Sequence, residues 1–120
     1  MTDLYKQLGL PDVLRATAEP LDELGVEELA WPRLSALEVV ARLRGSGIAV
    51  LGGDVLEKGP DGLHYTYSNW HLEPRSDESF EVFAERSHES ARAYIQKHPA
   101  GSAESYYVLV LSVGPLPPAT

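Results

Sequence analysis

Apolar residues along this chain switch between two spacings, and the switches mark its elements. Between residues 34 and 44, Leu34, Leu37, Val40, Ala41 and Leu43 form a broad stripe at helical spacing, with Ser35, Glu38, Arg42 and Arg44 mostly off it. Trp31-Pro32 marks a boundary ahead of this helix, because the residue before a proline is pushed out of the helical region. Arg42 and Arg44 suit the negative end of the helix dipole, and Gly45-Ser46-Gly47 ends the helix. Next comes Ile48-Ala49-Val50-Leu51, an unbroken apolar run rich in branched side chains, which predicts a strand buried on both faces. Gly52-Gly53 would weaken a regular strand, so a bulge or the close approach of another backbone is expected there.

Beyond Val55-Leu56-Glu57-Lys58, the run Gly59-Pro60-Asp61-Gly62 is a turn signal. Residues 63–68 then alternate, with Leu63, Tyr65 and Tyr67 on one face and His64, Thr66 and Ser68 on the other, which predicts a hairpin. Residues 69–77 read as a polar loop holding Trp70 and Pro74. A long helix follows: Ser76 as N-cap, Asp77 and Glu78 in the first turn, and Phe80, Phe83, Ala84, Ser87, Ala91, Tyr94 and Ile95 at helical spacing until His98-Pro99. Residues 106–113 predict a third strand, apolar on both faces and therefore central. Residues 2–8 predict a short helix stopped by Gly9 and Pro11, and residues 11–31 short helical turns and loop. The order helix, strand, strand, helix, strand defines an α+β class: a small, mostly antiparallel sheet of about three or more strands packed against helices. Residues 1–113 read as a single domain and residues 114–120 as a proline-rich tail.

Composition narrows the partners. The chain of 120 residues is long enough for one core and too short for two, and at 43% hydrophobic and 23% charged it has the makeup of a folded domain. A formal charge of −8 repels phosphate backbones and anionic lipid, so neither nucleic acid nor membrane is an expected partner. It favours a basic partner, although solubility accounts for acidity equally well. Cysteine is absent, which rules out disulfides and thiolate metal sites and fits a reducing compartment. The N-terminal residues lack a basic segment followed by an apolar one, and no apolar run approaches the roughly 20 residues of a membrane span, so the expected location is the cytoplasm.

No catalytic constellation emerges. His64, His71, His88 and His98 form neither a helical pair four residues apart nor an HExxH pattern, and no metal or cofactor is expected. His64 and His88 read as solvated side chains. The serines lack a GxSxG elbow, and Ser76, Ser87 and Ser102 have structural readings as cap, small core contact and loop residue. Asp54 and Glu73 could flank a cleft, as any acidic surface allows. Gly52-Gly53 is no phosphate loop, because Asp54 beside it repels phosphate and the flanking pattern is wrong; Asp54 reads as capping or crossing the hairpin. What remains is a recognition surface. Tyr65, Tyr67 and Trp70 combine large apolar area with a polar handle, next to Asn69 and within an acidic rim of Asp54, Glu57, Glu73, Asp77, Glu78 and Glu81. Tyr65 and Tyr67 fit the core equally well.

Several blocks together carry a resemblance. Leu24-Gly25-Val26-Glu27-Glu28-Leu29-Ala30-Trp31, Ile48-Ala49-Val50-Leu51-Gly52-Gly53-Asp54-Val55, Tyr65-Thr66-Tyr67-Ser68-Asn69-Trp70, and Glu78-Ser79-Phe80 opening a helix that reaches Tyr94-Ile95 resemble the bacterial immunity proteins known as immunity protein 40. The likeness runs over about residues 21–111, and the LGGDV and YTYSNW blocks, in that order, are its most specific pieces. It implies a cytoplasmic, non-catalytic protein that binds and blocks a cognate toxin domain. The residues themselves leave a second class open, a small-molecule-binding or regulatory domain with its pocket near Gly52 and Gly53.

Overall fold

The computed structural model describes residues 5, 8–25, 28–98 and 104–114. Of the helix expected over residues 2–8, only Tyr5 and Leu8 lie among them, both helical, and the expected tail beyond residue 114 lies outside them. Among the described residues three bounded α-helices, α1 (Asp12–Arg15), α2 (Arg33–Arg42) and α3 (Phe80–Lys97), and a 3-10 turn at Asp22–Leu24 accompany five strands: β1 (Glu19–Pro20), β2 (Leu29–Pro32), β3 (Ile48–Gly59), β4 (Gly62–His71) and β5 (Ser105–Val113). The strands form one sheet in the order β1-β2-β5-β3-β4, every neighbouring pair antiparallel. The α+β class and the central place of the last strand are as the sequence predicts. β1 and β2 are additions: two and four residues long and each ending in proline, they carry too short an alternation to register as strands.

The main core lies between the sheet and the two longer helices. Trp31, Val50, Val55, Tyr107 and Leu109 from the sheet meet Ala36, Val39, Val40 and Leu43 of the α2 region and Ala91 and Ile95 of α3. The α2 stripe is rotated from its expected position, since Leu34 is 81% exposed and Ala41 is also exposed while Ala36 and Val39 are fully buried. Alanine at 36 lets the helix sit close to the sheet, and a larger apolar residue nearby does not outweigh that fit. Arg33, the first residue of α2, donates to the Gln96 and His98 carbonyls and so ties α2 to the carbonyl-rich end of α3.

The face turned away from α2 and α3 has its own smaller cluster. Ala30, Leu56, Tyr106 and Val108 are buried there beneath Leu21, with Leu63 and Tyr65 packed against them. Lys58 spans this region, 3.0 Å from Glu19 and 5.7 Å above the Tyr106 ring.

Gly52-Gly53 produces the predicted irregularity. The register of β3 against β5 shifts between Val50 and Gly52, and the Trp70 carbonyl lies so close to Gly52 that a Cβ there would sit 2.2 Å from it. β4 pairs with β3 only from Gly52 onward, leaving the first residues of β3 without a strand on that side. Helix α3 covers them with two side chains. Ser87 Oγ accepts from the Val50 N–H at 2.9 Å, and His88 Nε2 donates to the Ile48 carbonyl at 2.7 Å. His88 is therefore a structural donor, half-buried, and not the solvated side chain expected from its place in the sequence.

α3 starts later than predicted. Its N-cap is Ser79, whose Oγ accepts from the Val82 N–H, and not Ser76. The buried face is as predicted, with Phe83, Ala84, Ser87, Ala91 and Ile95 inside.

Candidate partner-binding site

Strand β4 is one of the two outer strands of the sheet, and its middle is deformed. Asp54 pairs with Asn69 and Leu56 with Tyr65, so the single residue Val55 stands opposite three: Thr66, Tyr67 and Ser68. The surplus is held as a bulge. Thr66 Oγ1 donates to the Val55 carbonyl at 2.8 Å and accepts from the Ser68 N–H at 3.1 Å, and Asn69 Nδ2 donates to the Tyr67 carbonyl at 3.2 Å. Tyr67 sits at the apex with φ +70, alone among the described non-glycine residues in having a positive φ, and is 89% exposed. Its alternation with Leu63 and Tyr65 is thereby broken. Tyr65 lies against the smaller cluster while Tyr67 stands in solvent, a difference that a two-residue period cannot show.

Cross-strand pairing decides the face of each neighbour. Asp54 and Asn69 are partners and share the face turned away from α2 and α3 with Leu56, Tyr65 and Val108. Gly52 pairs with His71 and Val110, which places exposed His71 and 40% exposed Val110 on that face too. Beyond the packed cluster, Gly52 thus has Asp54, Asn69, His71 and Val110 as neighbours on this face. Burial pushes the Tyr65 hydroxyl pKa up, and the carboxylates of Glu28 and Asp54 push it further. Asp54 lies across the hairpin from Asn69, one of the two placements expected of it, and among the described residues it has no basic partner within salt-bridge reach.

Trp70 belongs elsewhere. It lies on β4, not in a loop, and its ring turns toward the helices, filling the space over Gly53 and stacking on Tyr94 with centroids 4.6 Å apart. Tyr94 in turn lies 5.9 Å from the His98 ring, which stands edge-on to Tyr107 at 6.1 Å. Trp70 is thus largely a support of the core, and only its half-buried remainder faces outward. Glu57 shares the face of Val55, opposite to that of Asp54.

The acids after β4 divide as well. Glu73 and Asp77 are exposed, and Glu73 Oε1 lies 3.3 Å from His71 Nε2. Glu81 is exposed in the first turn of α3. Glu78 instead has a side chain only 5% exposed. It accepts from Arg86 Nε and Nη2 at 2.7 Å each and from the Arg75 N–H at 3.0 Å, while Arg86 also donates to the Glu73 carbonyl. These donors hold its pKa down to about 2, the Arg86 side chain contributing most. Glu78 clamps the 72–79 loop onto α3 and is not a free rim charge.

Asp54, Tyr65, Tyr67 and Asn69 therefore come together; Glu73 and Asp77 are exposed after β4 and Glu81 is exposed at the start of α3; Trp70, Glu57 and Glu78 do not join them. His71, Val110 and Glu28 are neighbours that sequence reasoning passed over. His71 follows Asn69 at the two-residue spacing of a strand, a signal hidden once residues 69–77 were read as loop. No set of three or more histidine, cysteine or carboxylate side chains positioned for a metal occurs among the described residues. No described helix is long and apolar enough to cross a membrane.

The immunity protein 40 family profile matches residues 20–111 of the chain. The chain belongs to the immunity protein 40 family. The match covers β2 to the greater part of β5, and so includes both the bulged strand and the glycine pair. Comparison with curated proteins and with solved structures finds no match. Membership of this family makes the chain an immunity protein of a toxin system, a class generally without catalytic activity.

Proposed function

We propose that this immunity protein binds its cognate toxin domain in the cytoplasm of the producing cell and neutralises it by covering it, with no chemistry of its own. The observation that carries this reading is the family match across residues 20–111. The surface supports it: Asp54, Tyr65, Tyr67 and Asn69 offer aromatic area beside uncompensated carboxylate, and Glu73, Asp77 and Glu81 extend the acidity toward α3. With a chain charge of −8, the partner face is expected to be basic.

Co-expression with the toxin domain encoded by the adjacent gene tests the proposal. Growth should be rescued, and the two proteins should co-purify as a stable one-to-one complex. Toxicity undiminished by the protein, with no complex formed, would sink it.

A further inference from the structure

We infer that Tyr67 is a pre-formed anchor, an aromatic side chain held out by a strained bulge so that it can enter an apolar pocket on the toxin; the inference rests on the toxin-binding reading. A bulky residue in the left-handed region is disfavoured because its Cβ crowds the neighbouring backbone, and glycine or asparagine would occupy the position more easily. Such conformations persist when the surroundings over-determine them, and they gather where a ligand is gripped. Here the surroundings do so: Thr66 bonds to both Val55 and Ser68, and Asn69 holds the Tyr67 carbonyl. All this restraint fixes the backbone that carries a ring 89% exposed.

Burial within its own fold cannot account for an aromatic residue at that apex. Protection of an outer strand against edge pairing accounts for a bulge, yet a charged or small residue would serve that purpose as well. A tyrosine, by contrast, contributes large contact area for little lost side-chain freedom, and fixing its backbone beforehand removes part of the cost of ordering on binding. The occupant is a protein surface with a pocket deep enough for a phenol ring. Its rim is basic, since Asp54 and Glu28 both act on Tyr65, two residues from the anchor, and Asp54 has no counter-charge among the described residues.

The test sets stability against binding. Tyr67→Asn and Tyr67→Gly both relieve the backbone, so melting temperature should hold or rise, while the dissociation constant for the toxin domain from the adjacent gene rises by about 30-fold or more, as for an interface hot spot. Tyr67→Phe should stay within about threefold of the parent, because the ring is retained. If the parent chain binds and the asparagine and glycine variants bind equally well, the anchor role is overturned and the binding reading survives. A fall in melting temperature in both variants would assign the ring to the fold and overturn it too. If the parent chain itself forms no complex, both fall together.

Discussion

The hydroxyl of Ser87 accepts a hydrogen bond from the main-chain N–H of Val50 at 2.9 Å while donating to the Ala84 carbonyl at 2.7 Å. Ser87 is fully buried, so its oxygen replaces the strand that would otherwise pair with β3 at that point. Ser87→Ala leaves the Val50 N–H buried and unpaired, at an expected cost of about 1–3 kcal/mol by urea unfolding. Hydrogen exchange at Val50 should speed up correspondingly. An unchanged unfolding midpoint would mean that the hydroxyl contributes nothing to closing the sheet.

Gly53 has no room for a side chain. A Cβ there would lie 2.3 Å from both the Val108 carbonyl and the Trp70 ring, and the carbonyl cannot move without breaking the β3–β5 pairing. Gly53→Ala should therefore destabilise by roughly 3 kcal/mol, at the upper end of overpacking costs. Thermal unfolding would show this as a large drop in midpoint. A drop of a degree or less would mean that the ladder yields.

Trp70 should respond as a core residue. Trp70→Ala removes the ring that covers Gly53 and stacks on Tyr94, and is expected to cost roughly 3 kcal/mol, the low end for tryptophan truncation because the residue is only partly buried. Any loss of toxin binding in that variant must be read after correcting for its unfolded fraction. Full stability by denaturant titration would return Trp70 to the role of a surface anchor.

Acid sensitivity should trace to Glu78. Its pKa is about 2 when folded, against an ordinary value of 4.5, so its stabilisation is fully present above about pH 4.5 and disappears as pH falls toward 2. Melting temperatures of the parent and Glu78→Gln should differ most near neutral pH and converge near pH 2. A difference that is constant across this range would show that the carboxylate charge is irrelevant and only side-chain shape matters.

These features differ in how visible they were in the sequence, for reasons that are physical. Gly52-Gly53 announced its irregularity because two glycines in an apolar run have few other uses, and the position of β5 followed from apolar residues on both faces. Leu34 misled the phase of α2 because periodicity counts apolar residues without knowing which side the sheet approaches. Glu78 looked like its exposed neighbours, since nothing local shows that Arg86, eight residues on, folds back over it. Tyr67 was visible as a candidate, but its distinction from Tyr65 depends on two extra residues in one strand of a pair, which only the pairing reveals.

The strand that joins the two halves of the sheet is also the last of the five to be made. β5 lies between β2 and β3, while its sequence follows that of the other four described strands and of α1, α2 and α3. A chain made only as far as α3 can form the β3–β4 hairpin from local contacts, but β2 and β3 have no strand to connect them, and the core residues Tyr107 and Leu109 are missing. Long-range pairing of this kind is slow and cooperative. The hairpin that carries Tyr67 can thus form early, while the core beneath it closes only when β5 pairs with both β2 and β3.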